Sequence, residues 1–433
     1  NTALGRTSME LNTTGSCNVA VGKDALSNNT TAVYNTAVGF QTLKVGTTAT
    51  QNTGIGALSL DAATTGSYNT GSGYASLSAL TTGTCNVSAG YIAGSGITTG
   101  SCNVAIGAHT LSATSTGDRN TAVGLCALKV NTASANTAIG SAALLSNTSG
   151  SSNVALGNSM EQNTTGSDNT AAGNGALQAN TTGADNTAVG RLSLKANTTG
   201  DSHTAVGLKT LCANTTGLCN TAIGAYSLDA NTTGCCNTAV GLGTLGTNTT
   251  AINNTAIGSC SLFANTTGDS STAVGTDALK ANTTAGENTA VGYRSLTANT
   301  TGGTNSAFGR GAMQTNTTGS RNVAVGTNAL NANTTGPDNV AIGCGSLVDN
   351  TTGLENTAVG ARSLPNNTTA NYNTSIGKDS MFYNTTGNSN TAVGRKSLED
   401  NTTANNNVAV GFAAGGNITT GGGQTLVGTN AGC

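Results

Sequence analysis

The string Asn-Thr-Ala-Val-Gly returns at a nearly constant interval of seventeen residues from one end of the sequence to the other. Written as one unit, the repeat reads N-[TV]-A-[VI]-G-x-x-[AS]-L-x-x-N-T-T-G-x-x, and its positions are numbered one to seventeen below. Copies start at 26 places, and glycine occupies position five of every copy. A period of this length predicts one small structural unit that is stacked on itself many times.

The phase of the repeat is almost unbroken. Two copies, which begin at Asn120 and Asn153, are one residue short, and we expect each missing residue to fall in a loop. The sequence starts at Asn1, already in register and without a methionine. We therefore expect residues 1–433 to form a single continuous repeat domain that is a segment of a longer or polymerising chain.

The repeat unit predicts β-structure. Seventeen residues are too few for a helical pair, and the apolar positions do not follow a 3.6-residue period. Short β-compatible runs such as Thr187-Ala188-Val189 and Ser193-Leu194 alternate with Gly and Asn-Thr-Thr-Gly turns. The expected fold is all-β, a parallel β-solenoid (β-roll or β-helix) of about 26 coils with two or three short strands per coil. At about 4.8 Å per coil, the expected rod is roughly 120 Å long.

Alternation along a strand places repeat positions two and four on one face and position three on the other. We expect position four (Val189, Val206) and position nine (Leu194, Leu211) to fill the interior. The Thr or Val of position two should lie beside them. The small Ala of position three would then allow another wall to approach, or form a tight corner within one chain.

Glycine at position five indicates a sharp corner, because only glycine passes freely through positive φ and a Cβ would collide with the next coil. The corner glycines include Gly5, Gly190, Gly207, Gly224 and Gly428. Asparagine at positions one and twelve is expected to stack in amide ladders that satisfy the turn backbone.

Composition argues against several classes of function. Only 8% of the residues are charged, the net charge is −2, and no run of Lys or Arg is present. Nucleic-acid binding and membrane insertion are therefore not expected. The two histidines, His109 and His203, lie more than five coils apart, and the acidic residues lack calcium-binding spacing. The sequence predicts no enzyme activity, no metal site and no cofactor.

Two pairs of cysteines occupy the same repeat position in successive coils. Cys85 and Cys102 are one full repeat apart, and so are Cys219 and Cys236. Stacked residues have Cα atoms about 4.8 Å apart, inside the roughly 4.4–6.8 Å window of disulfides. The sequence is compatible with disulfides between coils or with stacked free thiols, and an oxidising extracellular setting fits either.

The Asn-Thr-Thr segment that begins at position twelve is also an N-glycosylation sequon. Two readings stay open: a stripe of glycans along the rod, or an unmodified ladder that points into a turn. The candidate asparagines are Asn12, Asn180, Asn197, Asn214, Asn231, Asn248, Asn265, Asn282, Asn299, Asn316, Asn333, Asn350, Asn384 and Asn401.

The Asn-Thr-Ala-Val-Gly and Ser-Leu pattern resembles the head repeats of trimeric autotransporter adhesins, and it is similar to repeats of phage tail-fibre and surface proteins that end in an endosialidase-type chaperone domain. The resemblance covers all 433 residues, although the unit is longer than in the adhesin heads. It implies a parallel β-roll, often trimeric, that projects from a surface and serves either as a binding module or as a spacer.

We therefore expect an extracellular structural fibre or filament subunit at a cell or virion surface, forming a rigid rod that is glycosylated if the sequons are used. Self-association, either head-to-tail or lateral, is the expected partnership. The alternative is a receptor- or glycan-binding adhesin or tail-fibre shaft that contacts surface glycans or a host receptor. Ice binding by threonine columns is a third reading, in which only one of Thr198 and Thr199 would join a surface column.

Overall fold

The structure, a computed structural model, describes residues 1–113 and 115–432. The chain divides into two compact units, Asn1–Thr216 and Gly217–Cys433, called the first and second unit. The first unit contains β1 (Thr2–Leu4), β2 (Val19–Val21), β3 (Thr36–Val38), β4 (Thr53–Ile55), β5 (Thr70–Ser72), β6 (Val87–Ala89), β7 (Val104–Ile106), β8 (Thr121–Val123), β9 (Thr137–Ile139), β10 (Val154–Leu156), β11 (Thr170–Ala172), β12 (Thr187–Val189) and β13 (Thr204–Val206). The second unit contains β14 (Thr221–Ile223), β15 (Thr238–Val240), β16 (Thr255–Ile257), β17 (Thr272–Val274), β18 (Thr289–Val291), β19 (Ser306–Phe308), β20 (Val323–Val325), β21 (Val340–Ile342), β22 (Thr357–Val359), β23 (Thr374–Ile376), β24 (Thr391–Val393), β25 (Val408–Val410) and β26 (Thr425–Val427).

Each coil, meaning one copy of the repeat, contributes one three-residue strand, which covers positions two to four. Within a unit, consecutive strands pair in parallel and in register, as β12 pairs β13 through Thr187 with Thr204 and Val189 with Val206. The predicted all-β parallel solenoid, in which one repeat forms one coil, is therefore confirmed. The expectation of two or three strands per coil is wrong, because Ser193 and Leu194 lie in a turn rather than a strand.

The turn between positions six and nine is held by a second set of contacts between coils. The Leu192 N–H donates to Asn174 O of the preceding coil at 3.0 Å, whereas the Leu194 N–H donates to Thr210 O of the following coil at 2.9 Å. These opposite directions require left-handed backbone, with φ of 60° at Leu192 and 49° at Leu194. Left-handed conformations cost a non-glycine residue roughly 1–2 kcal/mol, so in such a turn the bonds to the two neighbouring coils must offset that cost.

The interior differs from the sequence prediction. Leu194 and Leu211 at position nine are fully buried, as expected. Ala188 at position three is also fully buried, whereas Val189 at position four is 38% exposed and faces outward. The assignment of Val189 and Val206 to the interior, with position two beside them, is therefore wrong.

The physical reason is the narrowness of the coil, since the buried leucine leaves room for only a methyl group on the opposing wall. Gly54 takes position three where the larger Thr42 fills position eight of the preceding coil, and a Cβ on Gly54 would lie 2.5 Å from Thr42 Cγ2. A valine at position three would overpack such a core.

The corner glycines have the expected geometry. Position five has φ of 143° at Gly5, 126° at Gly190, 138° at Gly207, 123° at Gly224 and 130° at Gly428. A Cβ on Gly190 would collide with the backbone of Gly207 in the next coil. Both conformation and space therefore require glycine at this corner.

The two short copies each lack one residue, and the missing residue lies in a different turn in each copy. In the copy that begins at Asn120, the Asn131 side chain reaches Ala133 O, two residues on, at 2.7 Å, where a full coil spans three. In the copy that begins at Asn153, Gly157 has an unusual φ of 88° and the left-handed residue at position seven is absent. Both deletions fall in loops, as the sequence predicts.

A pair of alanine substitutions in one coil tests the corner. Gly292 has φ of 133°, and an added Cβ would lie 2.6 Å from Gly309 O. We expect Gly292→Ala to lower the free energy of unfolding by about 2 kcal/mol or more, measured by urea denaturation. Gly303→Ala in the same coil is the control, because a Cβ there meets only Gly286 O at 3.4 Å. Equal effects of the two variants would refute the corner argument.

Candidate functional site

The sequon asparagines form part of a buried node. Asn186 at position one and Asn197 at position twelve both donate from Nδ2 to the carbonyl oxygen of Gly200, at 2.9 Å each. The carbonyl has two lone pairs and is saturated by these two donors. Position fifteen is thus tied to both asparagines of its own coil, and we call this arrangement the Asn–Gly node.

The Asn–Gly nodes are also joined along the axis within each unit. Asn197 Nδ2 donates to Asn180 Oδ1 of the preceding coil at 2.9 Å. The Asn186 backbone N–H donates to Asn169 Oδ1 at 3.0 Å. The second unit repeats the pattern, with Asn333 Nδ2 donating to Asn316 Oδ1 at 2.8 Å. The predicted amide ladders are confirmed, and they are internal.

Burial of the nodes bears on glycosylation. Asn12 in the first coil is half-buried, and the other candidate sequon asparagines are fully buried. These are Asn180, Asn197, Asn214, Asn231, Asn248, Asn265, Asn282, Asn299, Asn316, Asn333, Asn350, Asn384 and Asn401. Because Nδ2 is the glycan attachment atom and already donates two internal hydrogen bonds, the folded coil has no room for a sugar at these buried positions.

The paired cysteines are free thiols. Cys85, Cys102, Cys219 and Cys236 are exposed and not disulfide-bonded. Residues related by translation along the axis have Cβ atoms as far apart as their Cα atoms, about 4.8 Å, whereas disulfides need roughly 3.5–4.5 Å. The disulfide alternative considered from the Cα spacing does not occur in the structure, and the stacked free thiols do.

The histidines serve packing. His203 replaces asparagine at position one, where its backbone N–H donates to Asn186 Oδ1 at 3.0 Å and its Nε2 lies 3.1 Å from Asn214 Nδ2. His109 meets the edge of Tyr91, which itself stacks on Tyr74 at 5.5 Å between ring centroids. Over the described ranges, no group of three or more His, Cys, Asp and Glu side chains is placed to hold a metal ion.

The outward side of the strands forms a regular surface, which we call the outer sheet face. It consists of the side chains at positions two and four. Threonine or valine at position two is half-exposed in most coils. Position four is aliphatic in most coils, with exposures of 41% at Ile223, 41% at Ile257, 40% at Ile342 and 40% at Ile376.

No charged residue occurs at position two or four in any of the 26 copies. Charges lie instead on the turns, where some of them link neighbouring coils. Arg321 donates to both carboxylate oxygens of Asp338 at 2.7 and 2.8 Å. This hydrogen-bonded guanidinium lowers the pKa of Asp338 below its ordinary value. The outer sheet face is thus a neutral, partly apolar stripe bordered by polar turns.

The threonines at positions thirteen and fourteen both reach the surface, with Thr198 half-buried and Thr199 exposed. Thr198 Oγ1 donates to Thr215 O of the next coil at 3.1 Å. Its hydroxyl is therefore committed to the backbone. Of these two positions, position fourteen alone offers an exposed column of hydroxyls, and only one of Thr198 and Thr199 joins it, as the sequence predicts.

No protein-family model and no curated protein matches the chain at a significant level. Over residues 1–113 and 115–432, no helix has the length and apolar character needed to cross a membrane.

The Asn–Gly node can be tested in a single coil. Asn333→Ala removes the donor to Gly336 O at 2.9 Å and the acceptor of Asn350 Nδ2 at 2.9 Å. Leaving buried polar groups unpaired should reduce the free energy of unfolding by about 2–4 kcal/mol. Thr335→Ala, at an exposed position of the same coil, should change it by less than about 0.5 kcal/mol. Urea denaturation followed by circular dichroism measures both, and a neutral Asn333→Ala variant would contradict the node.

Proposed function

We propose that the chain is a structural subunit of an extracellular fibre at a cell or virion surface, and that it acts as a spacer. The observation that carries the proposal is the division of each coil into constant interior positions and variable turn positions. Positions one, three, nine and twelve close the interior, whereas the residues at six, seven, ten, sixteen and seventeen differ from coil to coil. Such a design conserves length and stiffness while leaving the turn surface free to change.

The fibre proposal includes lateral self-association through the outer sheet face. A three-residue strand is about 10 Å long and each coil adds about 4.8 Å, so thirteen coils present roughly 600 Å². That area approaches the roughly 800 Å² per partner of a standard interface, and the position-four column supplies its apolar part. A partner must match the axial period of the columns, and a second copy of this chain has that period.

Charge introduced on the outer sheet face tests this association. The triple variant Ile257→Lys, Ile342→Lys, Ile376→Lys should shift the chain to monomers in sedimentation velocity, because like charges would face each other across the contact. The matched control carries lysine at position fourteen of three coils, Thr267→Lys, Thr335→Lys and Thr386→Lys, and should associate as the unmodified chain does. A monomeric unmodified chain at all concentrations, or equal loss in both variants, would contradict lateral association.

The location and spacer role of the fibre are tested on the producing cell or virion. Immunogold labelling with antibodies against the chain should decorate projections outside the surface. Removing the four coils of residues 288–355 should shorten the second unit by about 20 Å while the projections remain attached, as measured by cryo-electron microscopy. Label confined to the cell interior, or loss of the projections in the shortened variant, would overturn the proposal.

A further inference from the structure

Four of the sixteen Lys and Arg side chains of the whole chain line one groove on the second unit. Its volume is about 360 Å³, within the range of small-ligand sites. We call it the basic groove; the side chains that carry the argument are Arg362, Lys378, Phe382, Tyr383, Arg395 and Lys396.

The repeat brings Arg362, Lys378 and the adjacent Arg395 and Lys396 together although these three places lie about one repeat apart in the sequence. Lys378 and Arg395 both occupy position six, in consecutive coils, and Arg362 and Lys396 occupy position seven of nearby coils. The Cα atoms of Lys378 and Arg395 are therefore about 4.8 Å apart along the axis. Both side chains are exposed.

Two of the four cations are neutralised by the chain itself. Arg362 Nη2 lies 2.8 Å from Oδ1 of the nearly buried Asp379, an ion pair without the alignment of a directed hydrogen bond. Lys396 Nζ lies 3.0 Å from Glu399 Oε1. Within the ranges that the structure describes, neither Lys378 nor Arg395 has a carboxylate partner.

The unpaired stack of Lys378 and Arg395 is unfavourable in the isolated chain, since like charges on neighbouring turns repel. An anion placed between the two side chains would remove this repulsion and accept hydrogen bonds from both. A guanidinium is suited to carboxylate and sulfate, because its N–H groups match two oxygens of the same anion.

Aromatic rings lie beside the free cations. The Arg395 guanidinium lies 5.8 Å from the ring centroid of Phe412, which is 45% exposed. Tyr383 is 50% exposed and meets Phe382 edge-on at 4.9 Å. Exposed rings next to cations provide flat apolar surface together with charge recognition.

We propose that the basic groove binds an acidic saccharide, with a carboxylate or sulfate between Lys378 and Arg395 and a sugar ring against the Phe412 or Tyr383 side. This binding activity goes beyond the spacer role. Two free cations suit one or two anionic groups, whereas a nucleic acid gains its affinity from many phosphate contacts. The overall net charge of −2 also disfavours a long polyanion.

The experiment uses the full chain and fluorescently labelled oligosaccharides of equal length: a hexuronate, a sulfated and a neutral oligomer, with a single-stranded oligonucleotide as a fourth probe. Fluorescence anisotropy should show saturable binding of at least one acidic oligosaccharide, and the two acidic arms identify the anion. Lys378→Ala with Arg395→Ala should weaken that binding by about tenfold or more. The control, Arg191→Ala with Lys195→Ala, removes the same charge from exposed turns of the first unit and should leave binding unchanged.

Several results would overturn the acidic-saccharide site. These are no binding of either acidic oligomer, equal binding of the neutral oligomer, equal loss in the control variant, or tighter binding of the oligonucleotide. Circular dichroism of both variants checks that the fold persists. Because none of these measurements concerns fibre location or self-association, the site can fail while the spacer proposal stands.

Discussion

The Asn–Gly node is the interaction on which the rest of the structure depends. A coil made of one short repeat has a narrow interior, yet its turns bring backbone groups such as the Gly200 carbonyl and the Asn186 N–H inside. Unpaired, these groups would cost about 1–3 kcal/mol each. Two asparagines per coil donate hydrogen bonds to the position-fifteen carbonyl, and their side chains also bond to the neighbouring coil. Asn197, for example, donates to Gly200 O of its own coil and to Asn180 Oδ1 of the preceding coil.

Translation explains why one solution serves every coil. A backbone donor that bonds to a neighbouring coil finds its acceptor near its own repeat position, as the Thr198 N–H does with Thr215 O of the following coil and the Leu192 N–H does with Asn174 O of the preceding coil. The same translation makes the surface regular, because uncharged residues at positions two and four of each coil line up as a neutral stripe on the outer sheet face. It also brings rare residues into register, which is how Lys378 and Arg395 become neighbours.

Parts of this architecture follow from the sequence, and the reasons for the failures are specific. Gly190 and Leu194 were predictable because steric exclusion at a corner and burial of a leucine leave few alternatives. Alternation puts Thr187 and Val189 on one face but does not say which face is inside. The useful signal was that position three accepts almost only Ala, Gly or Ser, as at Gly54 and Ser88, whereas position four ranges from Ala to Phe.

Other features cannot be predicted from sequence patterns. The left-handed backbone at Leu194 contradicts the preference of leucine and exists only because two neighbouring coils hold it. The basic groove has no compact sequence motif, because Arg362, Lys378 and Arg395 lie about one repeat apart and become neighbours only through the stacking of the coils.

Hydrogen exchange of the asparagine side chains is the most direct test that internal Asn–Gly nodes organise each coil. Selective ¹⁵N-asparagine labelling resolves the side-chain amide protons in nuclear magnetic resonance spectra. The Nδ2 protons of the buried asparagines at positions one and twelve should exchange several orders of magnitude more slowly than those of the exposed Asn405 and Asn406. Exchange of most of these protons at the rate of exposed asparagine would contradict the account.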